Sequence, residues 1–253
     1  MPGVDHGMNH GLTPSHYSTY MTHGLRCLSQ VWKHFPAVSY AIPSTGTQKF
    51  FARCIWHASN GCVSTAWGCA DGVVLYFEKS GDEHKESQHH SGYKNHAGIK
   101  LLLTIGPDGS ICGAHWGIGT ASDCFLWNEL ECQLLLQHKA DGEVDPILQV
   151  LGDSIFGTNA VMVSVTESDI GRLYGCEHLS IFCTIRNNAE IGIGSLVKKQ
   201  RRISVKLPSD NDEMVDSIIS NTMHMLNYQV RYCRRGQLVT MFGDVMDHVA
   251  DNE

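Results

Sequence analysis

The chain has no long hydrophobic run: its longest apolar stretches, such as Leu101-Leu102-Leu103, span only a few residues. A membrane-crossing helix needs about 20 apolar residues in succession, so the sequence predicts no transmembrane segment. Met1 to His10 are rich in glycine and histidine and lack the apolar region of a secretory signal. Net positive charge is also missing: 26 acidic residues against 19 basic ones give −7. That excludes a protein that coats nucleic acid through bulk charge, although a local basic surface is enough to hold phosphate. No Cys-x-x-Cys pair occurs among the ten cysteines, which are scattered through predicted core segments. A domain of this size needs no disulfide framework, so they read as reduced, buried thiols of an intracellular chain. The fifteen histidines are dispersed, and no chemistry is assigned to them.

What is present is the composition of a globular protein with a core: 253 residues, 42% hydrophobic and 18% charged, enough for one large domain or one domain plus an appendage. Thr13-Pro14 is a helix start, a capping hydroxyl followed by proline at the first helical position. Tyr17, Met21, Leu25, Leu28, Val31, Trp32 and Phe35 then recur at helical spacing until Pro36. Pro43 to Gly46 reads as a loop and Phe50 to Cys54 as a short second helix. Gly72 to Phe77 reads as a buried strand, with Trp67 to Asp71 leading into it, and Ser80 to His96 as a polar loop. Ile99 to Ile105 and Ser110 to Trp116 flank Asp108-Gly109, a strong hairpin signal. A helix follows from Ser122-Asp123. Ile147 to Leu151 and Val161 to Val165 are strand candidates. A helix over about 187–202 carries Glu190 and is weakened by Gly192 and Gly194, each costing roughly 1 kcal/mol against alanine. A late amphipathic helix runs through Val215, Ile219, Leu226 and Val230. The order predicts an α/β fold, a mixed sheet flanked by helices. It divides into an N-terminal helical segment over 1–60, a main domain over 61–235 and an acidic tail over 236–253.

Three carboxylates stand out because each lies in a short, unusual string at or just past an element: Gly68-Cys69-Ala70-Asp71-Gly72, Leu151-Gly152-Asp153-Ser154 and Asn188-Ala189-Glu190-Ile191. Acids far apart in sequence but at element ends can converge on one oxygen-rich site. Such a site holds hard divalent cations, and a pair of cations can drive in-line attack on phosphate. The residues therefore point to a metal-dependent nuclease or polynucleotidyl transferase, or to a decayed relative of one. Asp123 has two readings: Ser122 or Asp123 caps the helix, or Asp123 joins the metal set directly or through a neighbouring ligand. Lys198, Lys199, Arg201, Arg202 and Lys206 form the one basic cluster, which reads as a solvated helix end, a DNA contact or a nuclear-import signal.

Ala70-Asp71-Gly72-Val73 resembles the first-aspartate strand of DDE-type transposases of the PIF/Harbinger group, where an apolar residue, Asp, Gly and Thr usually occur. Tyr93-Lys94, Ile99 to Ile105, Asp108-Gly109 and Gly119 to Asp123 follow that group's hairpin and its Gly-x-x-His-Asp element. Leu151-Gly152-Asp153-Ser154 is similar to its Leu-Gly-Asp-Ser-Gly-Tyr signature. Ala189-Glu190, Gly194 and Leu196 fall where its Val-Glu-Arg-x-Phe-Gly-x-Leu helix places them, and Met223 to Asn227 resembles its late Leu-His-Asn helix. The resemblance covers most of the chain. It implies an RNase H-like fold, a catalytic set of Asp71, Asp153 and Glu190, and Mg²⁺ or Mn²⁺ held by these with Asp123. It further implies DNA as substrate, contacted by Lys198, Lys199, Arg201 and Arg202, and a nuclear setting. It leaves room for a separate DNA-binding subunit and for a homo-oligomer, with residues 1–60 as a truncated DNA-binding or linker region.

The departures from the group's pattern define the alternative. Val73 replaces the usual threonine, Ser122 the histidine before Asp123, and Ile155-Phe156-Gly157 the usual Gly-Tyr-Pro. Ile191-Gly192 replaces the arginine after the helix glutamate, removing a partner for phosphate or carboxylate. A domesticated, catalytically inactive nuclear scaffold that binds DNA or protein is the second reading. A soluble α/β protein whose acids are all surface caps is the third.

Overall fold

The computed structural model describes residues 13–77, 83, 87, 89–91, 96–142, 148–175, 178–199, 206–208, 211–233 and 246–247, leaving aside the side chains of residues 14, 90, 91, 188 and 195–199. Two helices precede the sheet. Helix α1, Pro14–Trp32, starts where Thr13 accepts a hydrogen bond from His16 N. Helix α2, Thr45–Ala58, is longer than the Phe50 to Cys54 expectation and takes in Gly46. Its start inside the expected loop is fixed by Ser44, whose side chain accepts from Thr47 N, and by Asp141, whose Oδ2 accepts from Thr45 N and Oγ1 at 2.6 Å. Both helices pack onto the rest of the chain. Trp32 Nε1 donates to Asn221 Oδ1 at 2.9 Å, and Phe51 and Ala52 enter a core cluster with Trp67 and Leu102.

The sheet is built from β1 (Ala66–Tyr76), β2 (His90–Ser91), β3 (His96–Ile105), β4 (Ile111–Ile118), β5 (Gln149–Gly152) and β6 (Met162–Ser164). Its principal order is β4-β3-β1-β5-β6, with the two-residue β2 also pairing β3. The β1–β3 and β3–β4 pairs are antiparallel, whereas β5 and β6 run parallel to β1. This mixed, five-strand order with helices on both faces is the RNase H-like α/β arrangement. The hairpin joining β3 and β4 forms as its Asp-Gly signal requires. Gly109 takes φ +82°, a left-handed value that glycine adopts without a steric cost. Asp108 Oδ1 accepts from Ser110 N and Oγ.

Both faces of β3 are covered, which is why its sequence is a run of apolar residues rather than an alternation. Leu101, Leu103 and Ile105 pack with Ile219 and Met223 of α6, Asp212–Cys233. Leu102 packs on the other face with Leu126 and Leu130 of α3, Asp123–Ala140. Each fully buried leucine contributes roughly 1.5–3 kcal/mol. The short helix α4, Glu167–Leu173, was not expected from the sequence. Helix α5, Leu179–Lys199, begins about two turns before the predicted start at 187. It continues past Glu190 through Gly192 and Gly194. The cysteines are less buried than expected: among nine described, Cys54, Cys69 and Cys112 are buried, whereas Cys27, Cys132 and Cys233 are exposed. Among the described residues, no helix is long and apolar enough to cross a membrane. The expected loop from Ser80 and the tail after residue 235 fall largely outside the described residues.

Candidate active site

The site begins with an unequal pair of strands. β1 runs beside β3 from Cys69 to Tyr76, but beside β5 only as far as Cys69, paired with Leu151. Phe77 N donates to Ala97 O, and by the two-residue repeat of an antiparallel ladder the odd-numbered residues of β1 bond β3. Gly72 and Val74 therefore turn their backbone groups toward the side that β5 has left. The parallel pairing stops at Cys69 and Leu151, two residues before Asp71 on β1 and two before Asp153, the first residue after β5. The two strings singled out in the sequence thus meet at the fork where the parallel pair opens.

Asp71 Oδ1 accepts from Gly72 N at 2.8 Å, so the carboxylate folds over the open strand edge. Its pKa is raised above the ordinary carboxylate value, chiefly by desolvation. The Gly72 N–H and the Arg186 guanidinium pull it down, and the charges of Glu190 and Asp123 push it up. Asp71 shares a face of the sheet with Cys69, whose Sγ donates to Ile185 O of α5 at 3.2 Å. Helix α5 is held there by Phe182, Ile185 and Ala189, which pack with Cys69, Leu151 and Val163. This seat sets Glu190 in the field of Asp71. The Glu190 side chain is 56% exposed, and its Oε1 lies 2.9 Å from Nη2 of Arg186, one turn earlier.

Asp123 approaches from the opposite face. The ambiguity at the start of α3 resolves in favour of Ser122 as the cap, its Oγ accepting from Phe125 N at 3.1 Å. The Asp123 side chain turns inward, where it lies against Gly72: a Cβ there would overlap Asp123 Oδ1. That oxygen lies 3.0 Å from Lys100 Nζ, in a pair whose side chains are 20% and 17% exposed. The contact is ionic without the direction of a hydrogen bond, and among the described residues the oxygen has no other partner. Asp153 is exposed and caps a 3₁₀ turn, Ser154–Phe156, its Oδ1 accepting from Ser154 N at 2.6 Å. Its charge is not among those that move Asp71.

The structure thus brings Asp71, Asp123 and Glu190 into one electrostatic neighbourhood and Asp153 to the adjacent strand end. Each acid rests on a local partner, and among the described residues no group of three or more His, Cys, Asp or Glu is arranged to hold a metal ion. The side chains of Lys198 and Lys199, and all of Arg201 and Arg202, lie outside the described residues. Two residues that sequence reading missed belong to the site. Arg186 precedes Glu190 by one helical turn, a spacing at which side chains meet. It supplies a guanidinium from the other side of Glu190, where Ile191-Gly192 offers none. Lys100 signalled itself as the single charge inside the apolar run from Ile99 to Ile105.

A family model described as DDE superfamily endonuclease matches residues 70–227. No curated protein and no solved structure matches the chain. The matched span opens one residue before Asp71, takes in Asp123, Asp153 and Glu190, and closes at Asn227 in the packed part of α6. It covers well over half of the chain, and so this protein belongs to the DDE superfamily endonucleases.

Proposed function

We propose that the protein cleaves and transfers DNA strands as a metal-dependent endonuclease of the PIF/Harbinger transposase type, working in the nucleus. The observation that carries this reading is the end of the β1–β5 pairing at Cys69 and Leu151, each two residues before an acid, Asp71 and Asp153, with Glu190 in the field of Asp71. The donor set fits Mg²⁺ or Mn²⁺: every candidate is a carboxylate, the ligand preferred by hard divalent cations. Asp71, Asp153 and Glu190 would hold the cations, and Asp123 keeps an oxygen without a directed hydrogen bond. Divalent cations supply, when bound, activation of the attacking water or 3′-hydroxyl and charge stabilisation at the leaving oxygen.

The chain's own residues prepare the site. Desolvation makes the bare Asp71 charge costly, so a positive charge beside it relieves that cost. Four carboxylates repel a phosphodiester; Lys100 and Arg186 offset part of that repulsion. Lys198, Lys199, Arg201 and Arg202 follow Glu190 along α5 and beyond, and would meet the DNA backbone. Replacing these four with alanine should flatten the salt dependence of DNA binding, and an unchanged slope would remove them from the interface. A separate DNA-binding subunit and self-association are further partners of this reading.

A second reading, a catalytically inactive nuclear scaffold, is favoured by one observation: each acid is already engaged locally, Asp71 by Gly72 N, Asp153 by Ser154 N, Glu190 by Arg186 and Asp123 by Lys100. Plasmid nicking with Mn²⁺ separates the two. The endonuclease reading expects nicking by the wild type that Asp71→Asn abolishes. Equal nicking by both proteins would remove Asp71 from the chemistry, and DNA binding with no nicking by either would favour the scaffold.

A further inference from the structure

Lys100 is an unusual residue for its position. It lies in β3 beside Leu101, Leu102 and Leu103, all fully buried. Its register partners are Val74 on β1 and Gly117 on β4, which set it on the face that carries Gly72 and Leu102, under α3. A mostly buried ammonium needs a compensating charge, and Asp123 supplies it at 3.0 Å. Two further features show that the carboxylate is accommodated there. Gly72 leaves the space, since any Cβ would overlap Asp123 Oδ1. Ser122 has taken over the capping of α3, so the helix does not need Asp123 at its N-terminus.

The pair on the other face differs in kind. Arg186 and Glu190 are 19% and 56% exposed, and an ion pair with one partner in water is weak and readily exchanged. A buried pair is not, because separating it leaves a charge without solvent or partner. Glu190 can therefore give up its guanidinium to a metal ion, whereas Asp123 is held by an ammonium from the protein itself. We infer that Lys100 is a built-in counter-cation: it takes the place a divalent cation would take at Asp123. It thereby restricts the metal set to Asp71, Asp153 and Glu190, and keeps the affinity below what four carboxylates would give. The inference rests on the metal-binding reading above and adds a residue that tunes it.

Calorimetric titration with Mn²⁺, with free Mn²⁺ followed by paramagnetic resonance, tests it on the full chain without reference to activity. Lys100→Met, which keeps most of the aliphatic stem, should bind Mn²⁺ about tenfold more tightly than the wild type, since ligand charge count sets affinity at such sites. Asp123→Asn in the Lys100→Met background should remove the gain. Lys100→Met binding no more tightly than wild type, or the double variant keeping the gain, would overturn the inference. Should Lys100→Met fail to fold, Lys100→Gln, which also removes the charge, takes its place in both arms. Loss of binding in Asp71→Asn with no gain in Lys100→Met would sink this inference and spare the metal reading. No Mn²⁺ binding by wild type or Lys100→Met would sink both.

Discussion

Gly192 and Gly194 lie two residues apart in α5, on nearly opposite sides of the helix, and alanine at each should act with opposite sign. A helix-interior glycine is about 1 kcal/mol worse than alanine. At Gly194 an added Cβ would meet nothing within 4 Å, so Gly194→Ala should stabilise the protein by about 1 kcal/mol. At Gly192 the same Cβ would overlap Cδ1 of Ile105 and lie 3.1 Å from its Cγ2. Ile105 is only 1% exposed and packs among Leu103, Ile111 and the α6 residues, so it has little room to withdraw. Overpacking of this kind costs about 1–3 kcal/mol, which outweighs the propensity gain and leaves Gly192→Ala destabilised by about 1 kcal/mol. The contrast of about 2 kcal/mol corresponds to roughly 4–8 °C in Tm for a chain of this length, well within reach of thermal circular dichroism. Function should follow the same contrast. Gly192 follows Glu190 by half a turn, so lifting α5 off Ile105 moves Glu190 and Arg186 away from Asp71. Mn²⁺ affinity should fall in Gly192→Ala and hold in Gly194→Ala. Gly192→Ala as stable as Gly194→Ala would refute the seating of α5 on Ile105.

Other predictions follow from single groups. Asp71 has a raised pKa in the folded state, so the fold holds its proton more tightly than the unfolded chain; stability falls as pH rises above the unfolded value of 3.8 and levels off once the folded-state carboxyl is ionised. Asp71→Asn should therefore be more stable than wild type at pH 7 without metal, with the gap narrowing toward pH 4 in urea titrations; a gap that widens at low pH would reverse the argument. Asn227, fully buried, pairs its amide with both Ile111 N and O, at 2.7 and 2.9 Å, and donates to Ser39 O at 3.0 Å. Asn227→Ala should cost roughly 3 kcal/mol, about one per bond, and a loss below about 1 kcal/mol in urea unfolding would show that those groups find other partners. Burial pushes the Cys69 and Cys112 thiols up to about 12 and Cys54 to about 11, so a thiol reagent at pH 8 should label exposed Cys27, Cys132 and Cys233 and spare these three until denaturant is added. Rapid labelling of Cys69 in the native protein would contradict its packing against Ile185.

The sequence made local structure legible where a few neighbouring residues decide it. The Thr13-Pro14 start of α1, the Asp108-Gly109 hairpin and the Ser122 cap of α3 all depend on side chains within three positions of the backbone they serve. The start of α2 was hidden because Asp141, distant in sequence, supports it; Pro43 to Gly46 alone read as a loop. The first turns of α5 were missed because Ser180-Ile181-Phe182-Cys183-Thr184 is rich in residues that favour strands. Burial of Phe182 and Ile185 against Cys69 and Leu151 outweighs that preference. Gly192 read as a weakness and proved to be a clearance. Asp71 and Asp153 were visible as acids in short, unusual strings, but Asp71 lies within β1 and not at its end, and nothing in either string encodes the parallel register that pairs Cys69 with Leu151 just before them. Lys100 could not be matched with Asp123 from sequence, since their meeting depends on α3 crossing the face that Gly72 leaves bare.

The fork itself explains why the chemistry gathers at this point of the sheet. β1 spans Ala66–Tyr76 whereas β5 spans only Gln149–Gly152, and Leu207 N, donating to Tyr76 O, covers the far end of the edge that β5 leaves. Between these limits, among the described residues, no strand pairs with the outward backbone groups of Gly72 and Val74, and an uncovered edge invites pairing with another chain. The Asp71 carboxylate folded onto Gly72 N and Asp153 at the tip of β5 guard that edge with charge. Had β5 continued by two residues, its backbone would pair with Gly72, and Asp153 would lie within the ladder instead of capping the turn beyond it. The same early stop that leaves β1 in need of protection also frees the backbone beside Asp71 from β5. The position sits where β1 changes from an antiparallel to a parallel neighbour, beyond the carboxyl end of a parallel strand, which is where open α/β sheets place ligands. Edge protection and catalytic potential at this fork thus have one structural origin, the termination of β5 at Gly152.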